Sequence, residues 1–516
     1  MNLNNMLSRV PHRYWGFIAL LFWGLTTLFL VRHDPFAIEE GAAKALLLAW
    51  SIADNVAISV VTFGVPDLRT LLFIPIGVLE PSSIFAAKLF TVLCFAVTVL
   101  LLYLWRRQSA DTESALLACS LLLISPLTLQ QIDTLSPGTY LLLAFALGAW
   151  LNQAYRATPH AGGGWFFAQL FICAISVSLH PAGLAYPLAL LWSWYKNPLD
   201  SKQQKYFFIG VSFVVLLTLF TTYIGHGWNH FEWRQNPIKN LSIILLGSSL
   251  SDEITVMRWL AGGLILLALI IVLFKQFRTI WSDFTGRILL IGSVLGAAVS
   301  DSAWSIITLC VILFFGFPLL LRESTSGRFI HHRDIALVLV FVLFTFFTWA
   351  DKEHYEIRQS GILADQDQLF QTLAQEVEMA RKNEDEDPIP RADDDKNNVI
   401  HNIEDVDNPL EKSVLADKSV GGPLRLRVAS QWPGRTMIAC KCDTLPLPPA
   451  APTPDAQLAM MRGITHILFD PKLVQNEALS RNLAMLSGSI ETLALQPGGV
   501  VLRFKNVNKK PPSGKL

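Results

Sequence analysis

Two adjacent carboxylates, Glu39 and Glu40, stand soon after an apolar segment, Trp15 to Val31, within HDPFAIEEGAAKALLLAW. A third acid, Asp34, lies closer still to that segment. Burial in a low-dielectric setting disfavours ionised carboxylate and raises its pKa. A carboxyl group with a pKa near neutrality is suited to general acid–base work. The plainer reading is a solvated helix start, where acids complement the positive end of the helix dipole. The spacing from Glu39 to Asp54 predicts a helix under either reading.

Such acids need elements that hold them at a membrane, and the composition supplies those elements. The 516-residue chain is 52% hydrophobic and 16% charged, well short of the roughly 25% charged residues of a soluble domain. Apolar runs fill the chain up to Trp349, and acids gather from Asp351 onward. The zero net charge averages two different materials, and no basic excess points to nucleic acid. Four of the six cysteines lie in apolar runs, where Cys acts as a small hydrophobe. Cys440 and Cys442 form a C-x-C, which is no C-x-x-C redox motif.

A membrane-crossing helix needs about twenty apolar residues, and roughly eleven stretches approach that. They run near Trp15–Val31, Phe85–Trp105, Ser114–Leu129, Gly138–Tyr155, Trp165–Leu179, Gly183–Tyr195, Tyr206–Ile224, Met257–Phe274, Gly286–Ser300, Ala303–Leu321 and Ile335–Trp349. Lysines and arginines of the short connections, from Arg9 and Arg13 through Arg106, Lys196 and Arg278 to Arg333, fall on one side. That bias predicts a cytoplasmic N-terminus. An odd number of crossings then puts the C-terminal part outside a bacterial inner membrane. The segment Trp15–Val31 lacks a small-residue cleavage site behind it and reads as an uncleaved helix.

The expected organisation is residues 1–350 as a polytopic α-helical membrane domain with a long outer loop at 32–84. Residues 351–420 hold a helix, near Lys352–Lys382, and an acidic linker. A small α/β or α+β domain at 421–516 follows on the outer side. LRLRVASQW, ITHILFD and the pair SIETLALQ/VVLRFKN read as strands, and Leu473–Leu486 as a helix. Gly225–Val256 reads as a second outer loop. Its Trp228, His230 and Trp233 fit an interfacial aromatic belt. Within RADDDKNNVIHNIE, Asp393, Asp395, Asn397 and Glu404 echo an EF-hand spacing. Asn398 replaces the loop glycine, and acid-rich linkers produce such matches by chance. No metal-ligand set is singled out, and the cofactor requirement, including a divalent metal, stays open.

The order of features resembles a known superfamily. One helix is followed by an outer loop opening on paired acids, EEGAAKALLLAW, then FGVPDLRTLLFIPIG and a helix ending in LWRR. The helix pair ALLACSLLLISPLTLQQID and SPGTYLLLAFALGAWL comes next. This is similar to the GT-C superfamily of polytopic glycosyltransferases, such as protein mannosyltransferases and aminoarabinose transferases. Family members carry Asp-Glu or a similar acidic pair early in the first outer loop, where this chain has Glu-Glu.

The resemblance implies a sugar donor on a polyprenyl phosphate and an acceptor outside the cytoplasm. It implies Glu39 or Glu40 as the base for the acceptor hydroxyl, with Asp34 as substitute and Asp67 as a further acid. The donor phosphate would need cations, and Arg234, Arg258, Lys239 and Arg69 lie on the outer side. Arginine can hold phosphate bidentately, which favours Arg234 and Arg258. Gln130, Gln131, Asp133 and His180 would wall the same cavity; each is also an ordinary polar residue at a helix end.

Two rival functions stand beside the transferase. One is a non-catalytic scaffold of the same fold that binds a partner through its outer domain. The other is a transporter, which would place ionisable groups at mid-membrane.

Overall fold

The computed structural model describes residues 15–31, 38–53, 69–80, 83–109, 112–157, 163–196, 201–224, 237–297, 302–322, 340, 342–353, 364–386, 427–440, 442–472, 476–496 and 499–505. Two compact units emerge, Met1–Arg358 and Gln359–Leu516. Asp34, Asp67, Arg234, the aromatics Trp228, His230 and Trp233, and the EF-hand-like stretch 391–404 lie outside the described residues.

The first unit is a bundle of helices. In chain order they are α1 (Trp15–Leu30), α2 (Glu40–Ala53), α3 (Arg69–Leu79), α4 (Ile84–Ser109), α5 (Thr112–Ile124) and α6 (Pro126–Asp133). Then come α7 (Pro137–Ala157), α8 (Gly163–Leu179), α9 (Ala185–Lys196) and α10 (Ser201–Ile224). The series ends with α11 (Pro237–Glu253), α12 (Thr255–Ser282), α13 (Phe284–Gly296) and α14 (Ser302–Arg322). A further helical segment covers 342–353. Phe95, Leu122, Leu142, Phe145, Trp194, Ile244 and Phe314 lie in its continuous apolar core.

Among the described residues, Ile84–Gln108 and Thr255–Ser282 are each long and apolar enough to cross a membrane. Ser114–Ile124 and Pro126–Asp133 make a third candidate, bent by 54°. Pro126 explains the break, since it has no N–H to continue the helix and sits instead at the start of α6. Other expected spans are present as shorter apolar helices, among them Gly164–Leu179, Phe284–Gly296 and Ala303–Gly316.

Contacts sort the helix ends. The start of α4, the end of α6 and the start of α7 meet through Lys88, Asp133 and Tyr140. Ser305 at the start of α14 donates to the Asn240 carbonyl near the start of α11, 2.8 Å away. At the far end, Trp105 of α4 donates to Asp283, between α12 and α13, at 3.2 Å. Lys88 and Trp105 are thus one helix apart, about 25 Å at 1.5 Å per residue.

The second outer loop read from the sequence differs from what the chain forms. Residues 237–253 are helix α11, with Leu241, Ile243, Ile244 and Leu246 buried. The apolar run is too short to register as a span, so its burial is set by packing rather than by length. The helix breaks at Gly247, whose φ of +79° favours glycine. A side chain there would overlap the Asp351 carboxylate.

The second unit is a five-stranded mixed sheet with helices. Its elements are α15 (Ala364–Glu386), β1 (Arg427–Ser430), α16 (Pro433–Cys440), β2 (Asp443–Pro446), α17 (Pro454–Met460), β3 (His466–Phe469), α18 (Glu477–Met485), β4 (Ile490–Gln496) and β5 (Gly499–Phe504). The strand order is β2-β1-β3-β5-β4. β1 pairs in parallel with β2 and β3, while β5 pairs antiparallel with β3 and β4. β3 is buried throughout, as its central place requires. Strand β2 is the one the sequence did not offer: four residues ending in proline carry no alternation to read. Leu369, Leu373 and Val377 of α15 repeat every four residues and are buried. All six cysteines are free and buried.

Candidate functional site

Glu39 sits just ahead of α2. Its carbonyl accepts from the Ala43 N–H at 2.9 Å, and its own N–H donates to the Thr134 carbonyl at 3.0 Å. The backbone of the acidic pair is therefore tied to the connection between α6 and α7. A buried arginine ties the side chain to the same place. Arg69 Nη1 lies 3.6 Å from Glu39 Oε2 and donates to the Leu135 carbonyl at 3.1 Å. The Glu39 side chain keeps 37% of its surface exposed, while that of Arg69 keeps 6%. Glu40 turns to Lys44, one helical turn on, at 3.9 Å. The two glutamates thus have different surroundings: one is anchored to the bundle, the other to its own helix.

Leu135 is strained. Its φ of +54° is the one positive value for a non-glycine residue among the described residues. The left-handed region costs a non-glycine residue roughly 1–2 kcal/mol. Its neighbours hold it there: Leu135 N–H donates to Ile132, and Ser136 N–H donates to Gln131.

Asp133 lies two residues before Leu135, at the end of α6. Its Oδ1 is 2.7 Å from Lys88 Nζ, and the Lys88 side chain is wholly buried. A charge out of water needs a partner of opposite sign. Gln131 is fully buried with neither amide atom hydrogen-bonded in the structure, and Gln130 Oε1 has no hydrogen bond either. Gln131 packs over Gly138, where a Cβ would overlap its amide oxygen.

The remaining sequence candidates divide. Lys239 and Arg258 are half-buried. Gly262 packs against the Ile238 carbonyl, which brings the starts of α11 and α12 together. Arg258 Nε makes no hydrogen bond. His180 has a structural place: its Nδ1 accepts from the Ala182 N–H at 3.0 Å and caps the short 3-10 turn Pro181–Leu184. Lys88 was not singled out from the sequence as a site residue. A lysine in the first turns of an apolar helix has to find an acid on the same face of the membrane, and that was the available signal.

The arrangement offers a half-exposed carboxylate oriented by a buried guanidinium, beside a buried Lys–Asp pair and unsatisfied carboxamides. It can accept a proton from a bound hydroxyl and place positive charge near an anion.

No protein-family model matches the chain, and no curated protein matches it. Solved structures do. ArnT from Cupriavidus metallidurans, bound to undecaprenyl phosphate, superposes with a TM-score of 0.55 at 10% identity, covering 96% of this chain and 98% of that one. The oligosaccharyltransferase AglB from Archaeoglobus fulgidus, in complex with an inhibitory peptide and a dolichol-phosphate, gives 0.53 at 10% identity, covering 93% and 73%. The apo form of the Archaeoglobus fulgidus oligosaccharyltransferase gives 0.51 at 10% identity, covering 89% and 70%. These neighbours are GT-C membrane glycosyltransferases. At this identity the likeness is one of fold: the chain shares the overall architecture of these structures.

Proposed function

We propose that this chain is a GT-C-type glycosyltransferase, moving a sugar from a polyprenyl-phosphate donor to an acceptor outside the cytoplasm. The observation that carries the proposal is the Glu39–Arg69–Leu135 lock, set in a fold shared with two proteins bound to polyprenyl phosphates. Glu39 is the base. It takes the proton of the acceptor hydroxyl as that oxygen bonds to the anomeric carbon, and the bond from that carbon to the lipid phosphate breaks. The leaving group departs with its charge on phosphate, so cations rather than a proton donor serve it. Arg258 and Lys239 are the phosphate ligands among the described residues, and Arg234 shares the role given to it by sequence. Arg69 is a positioning residue for Glu39. Gln130, Gln131 and Asp133 wall the cavity.

In the membrane, about eleven crossings put Glu39 and the Gln359–Leu516 unit on the outer face of a bacterial inner membrane. The outer unit selects or holds the acceptor. A catalytically silent scaffold is the rival reading. What favours it is that both acids of the site face a cation, Glu39 with Arg69 and Asp133 with Lys88. The test is a transfer assay on membranes carrying the unaltered protein and native acceptor, with a panel of radiolabelled polyprenyl-phosphate sugars. Label entering the acceptor supports the transferase. No transfer from any donor supports the scaffold.

A further inference from the structure

The bundle has a second polar place, at the end away from Glu39. A cavity of about 590 Å³ opens between the ends of α4, α7 and α9 and the turn joining α12 to α13. Its volume lies in the range of small-ligand sites. Lys196, Arg278 and Arg287 line it against one carboxylate, Asp283. Asp283 accepts from Trp105 Nε1 at 3.2 Å and from the Gly286 N–H at 2.8 Å, capping α13. Arg287 is fixed by two hydrogen bonds to the Trp281 carbonyl, at 3.0 and 2.8 Å.

Three groups in the lining are left for a ligand. Lys196 and Arg278 have no carboxylate partner among the described residues. Asn152 is 3% exposed and its Oδ1 makes no hydrogen bond. A buried polar atom with no partner costs about 1–3 kcal/mol, so a ligand that supplies one stabilises the site. The surplus of positive charge selects an anion.

The approach to the cavity selects a lipid over a soluble anion. Leu267, Ile270, Phe274 and Phe277 lie along one face of α12 and are between 52% and 90% exposed. The same face continues into Arg278 and Trp281, where Phe277 stacks on Trp281 at 6.0 Å between ring centroids. An acyl chain on this apolar stripe sets its headgroup at Arg278 and Lys196. Basic pockets between helices at a membrane surface are suited to phosphate headgroups.

We infer that this cavity binds the phosphate headgroup of an anionic membrane lipid, at the membrane face opposite the proposed transfer site. It goes beyond the transferase reading and does not depend on it.

The test uses the full chain purified in detergent and offered phosphatidylglycerol or phosphatidylcholine, with bound lipid counted by native mass spectrometry. The unaltered protein should retain phosphatidylglycerol in preference. The Lys196→Gln/Arg278→Gln variant should retain it roughly 10- to 30-fold less tightly, as expected for two cations at a headgroup. Lys196→Arg/Arg278→Lys should retain it as the unaltered protein does. Both positions are exposed, and unchanged thermal melting of the variants will separate lost binding from lost fold. Equal retention of the two lipids overturns the inference, as does full phosphatidylglycerol binding by the double Gln variant. Inorganic phosphate that displaces no lipid yet protects Arg278 from a guanidinium reagent would also overturn it, by making the ligand a soluble anion.

Discussion

Lys88 Nζ lies 2.7 Å from Asp133 Oδ1, with the lysine side chain wholly enclosed and the aspartate side chain 18% exposed. This pair joins the start of α4 to the end of α6. Removing one member takes this ion pair from the other charge, at a cost of up to about 3–5 kcal/mol, whereas an apolar replacement of both is close to neutral. Lys88→Met and Asp133→Asn should each lower the melting temperature in detergent, and Lys88→Met/Asp133→Leu should recover most of the loss. Single variants that melt like the unaltered protein would show the pair to be hydrated.

Glu39 and Glu40 are separable by their partners. Glu39→Gln should keep expression and donor binding and lower turnover roughly 10²–10⁴-fold, as loss of a general base does. Glu40→Gln weakens a one-turn contact with Lys44, worth about 0.3–0.5 kcal/mol, away from the Arg69 side chain that orients Glu39, and should leave turnover nearly intact. Transfer at full rate by Glu39→Gln would move the search for the base to Asp34 or Asp67. The assay is that of the transferase proposal.

Much of this arrangement was legible in the sequence, and the remainder has physical reasons. The acids at the head of a helix were readable because apolar spacing restarts at Ala42 and runs to Ala53. From Arg69 within FGVPDLRTLLFIPIG the chain forms helix α3, Arg69–Leu79. The choice between the two glutamates was not readable, since it depends on Arg69 arriving from another element. Preference for Arg234 and Arg258 as phosphate ligands followed from residue type alone. Type does not reveal that Arg69 is buried against Glu39 and the Leu135 carbonyl. Nor does sequence show the strained φ of Leu135, which the local hydrogen bonds at the end of α6 hold and Arg69 meets from another helix. The α11 break at Gly247 carried a glycine as its signal, but a lone glycine in an apolar run has many explanations.

Topology is the next expectation. Glu80 and Gln153 are both exposed, and they follow from opposite ends of the bundle. Single cysteines there should label from opposite sides, Glu80→Cys from outside and Gln153→Cys only after the membrane is opened. The native cysteines are buried and give little background. Labelling of both from one side would overturn the crossing pattern.

The Gln359–Leu516 unit should need α15 to fold. Phe370 contributes the carbonyl that accepts from Cys440 Sγ at 3.7 Å, and Glu376 accepts from Arg503 at 3.0 Å. Leu369, Phe370, Leu373 and Val377 are buried; losing several at once costs several times the 1.5–3 kcal/mol of one buried apolar side chain, roughly. A fragment from Gln359 to Leu516 should give a cooperative melt with mixed circular dichroism. A fragment from Gly421 to Lys510 should not. Equal stability of the two would mean α15 adds nothing to the core.

His466, at the start of β3, makes the Gln359–Leu516 unit sensitive to acid. Its pKa is pushed down from 6.5 to about 4, chiefly by burial, with Glu376 opposing and the Arg503 charge adding to the drop. The facing groups are Glu376, 3.7 Å from Nε2, Arg503 shared between Glu376 and Glu491, and the Thr465 hydroxyl at 3.0 Å from Nδ1. The folded imidazole stays neutral where the unfolded one is charged. Between pH 6.5 and about 4 the unfolded chain therefore binds the extra proton, and stability falls as pH falls. The contribution is complete above the unfolded value and is lost towards the folded one, up to about 3 kcal/mol for such a shift. Pulse proteolysis of the full chain in urea, followed at the C-terminal unit, should show its midpoint dropping across this window. His466→Gln should flatten that slope, with the remaining decline left to carboxylates such as Glu491, whose pKa is held down by the hydrogen bond from Arg503. A variant with the same slope as the unaltered protein would assign the acid sensitivity to those carboxylates and not to the buried imidazole.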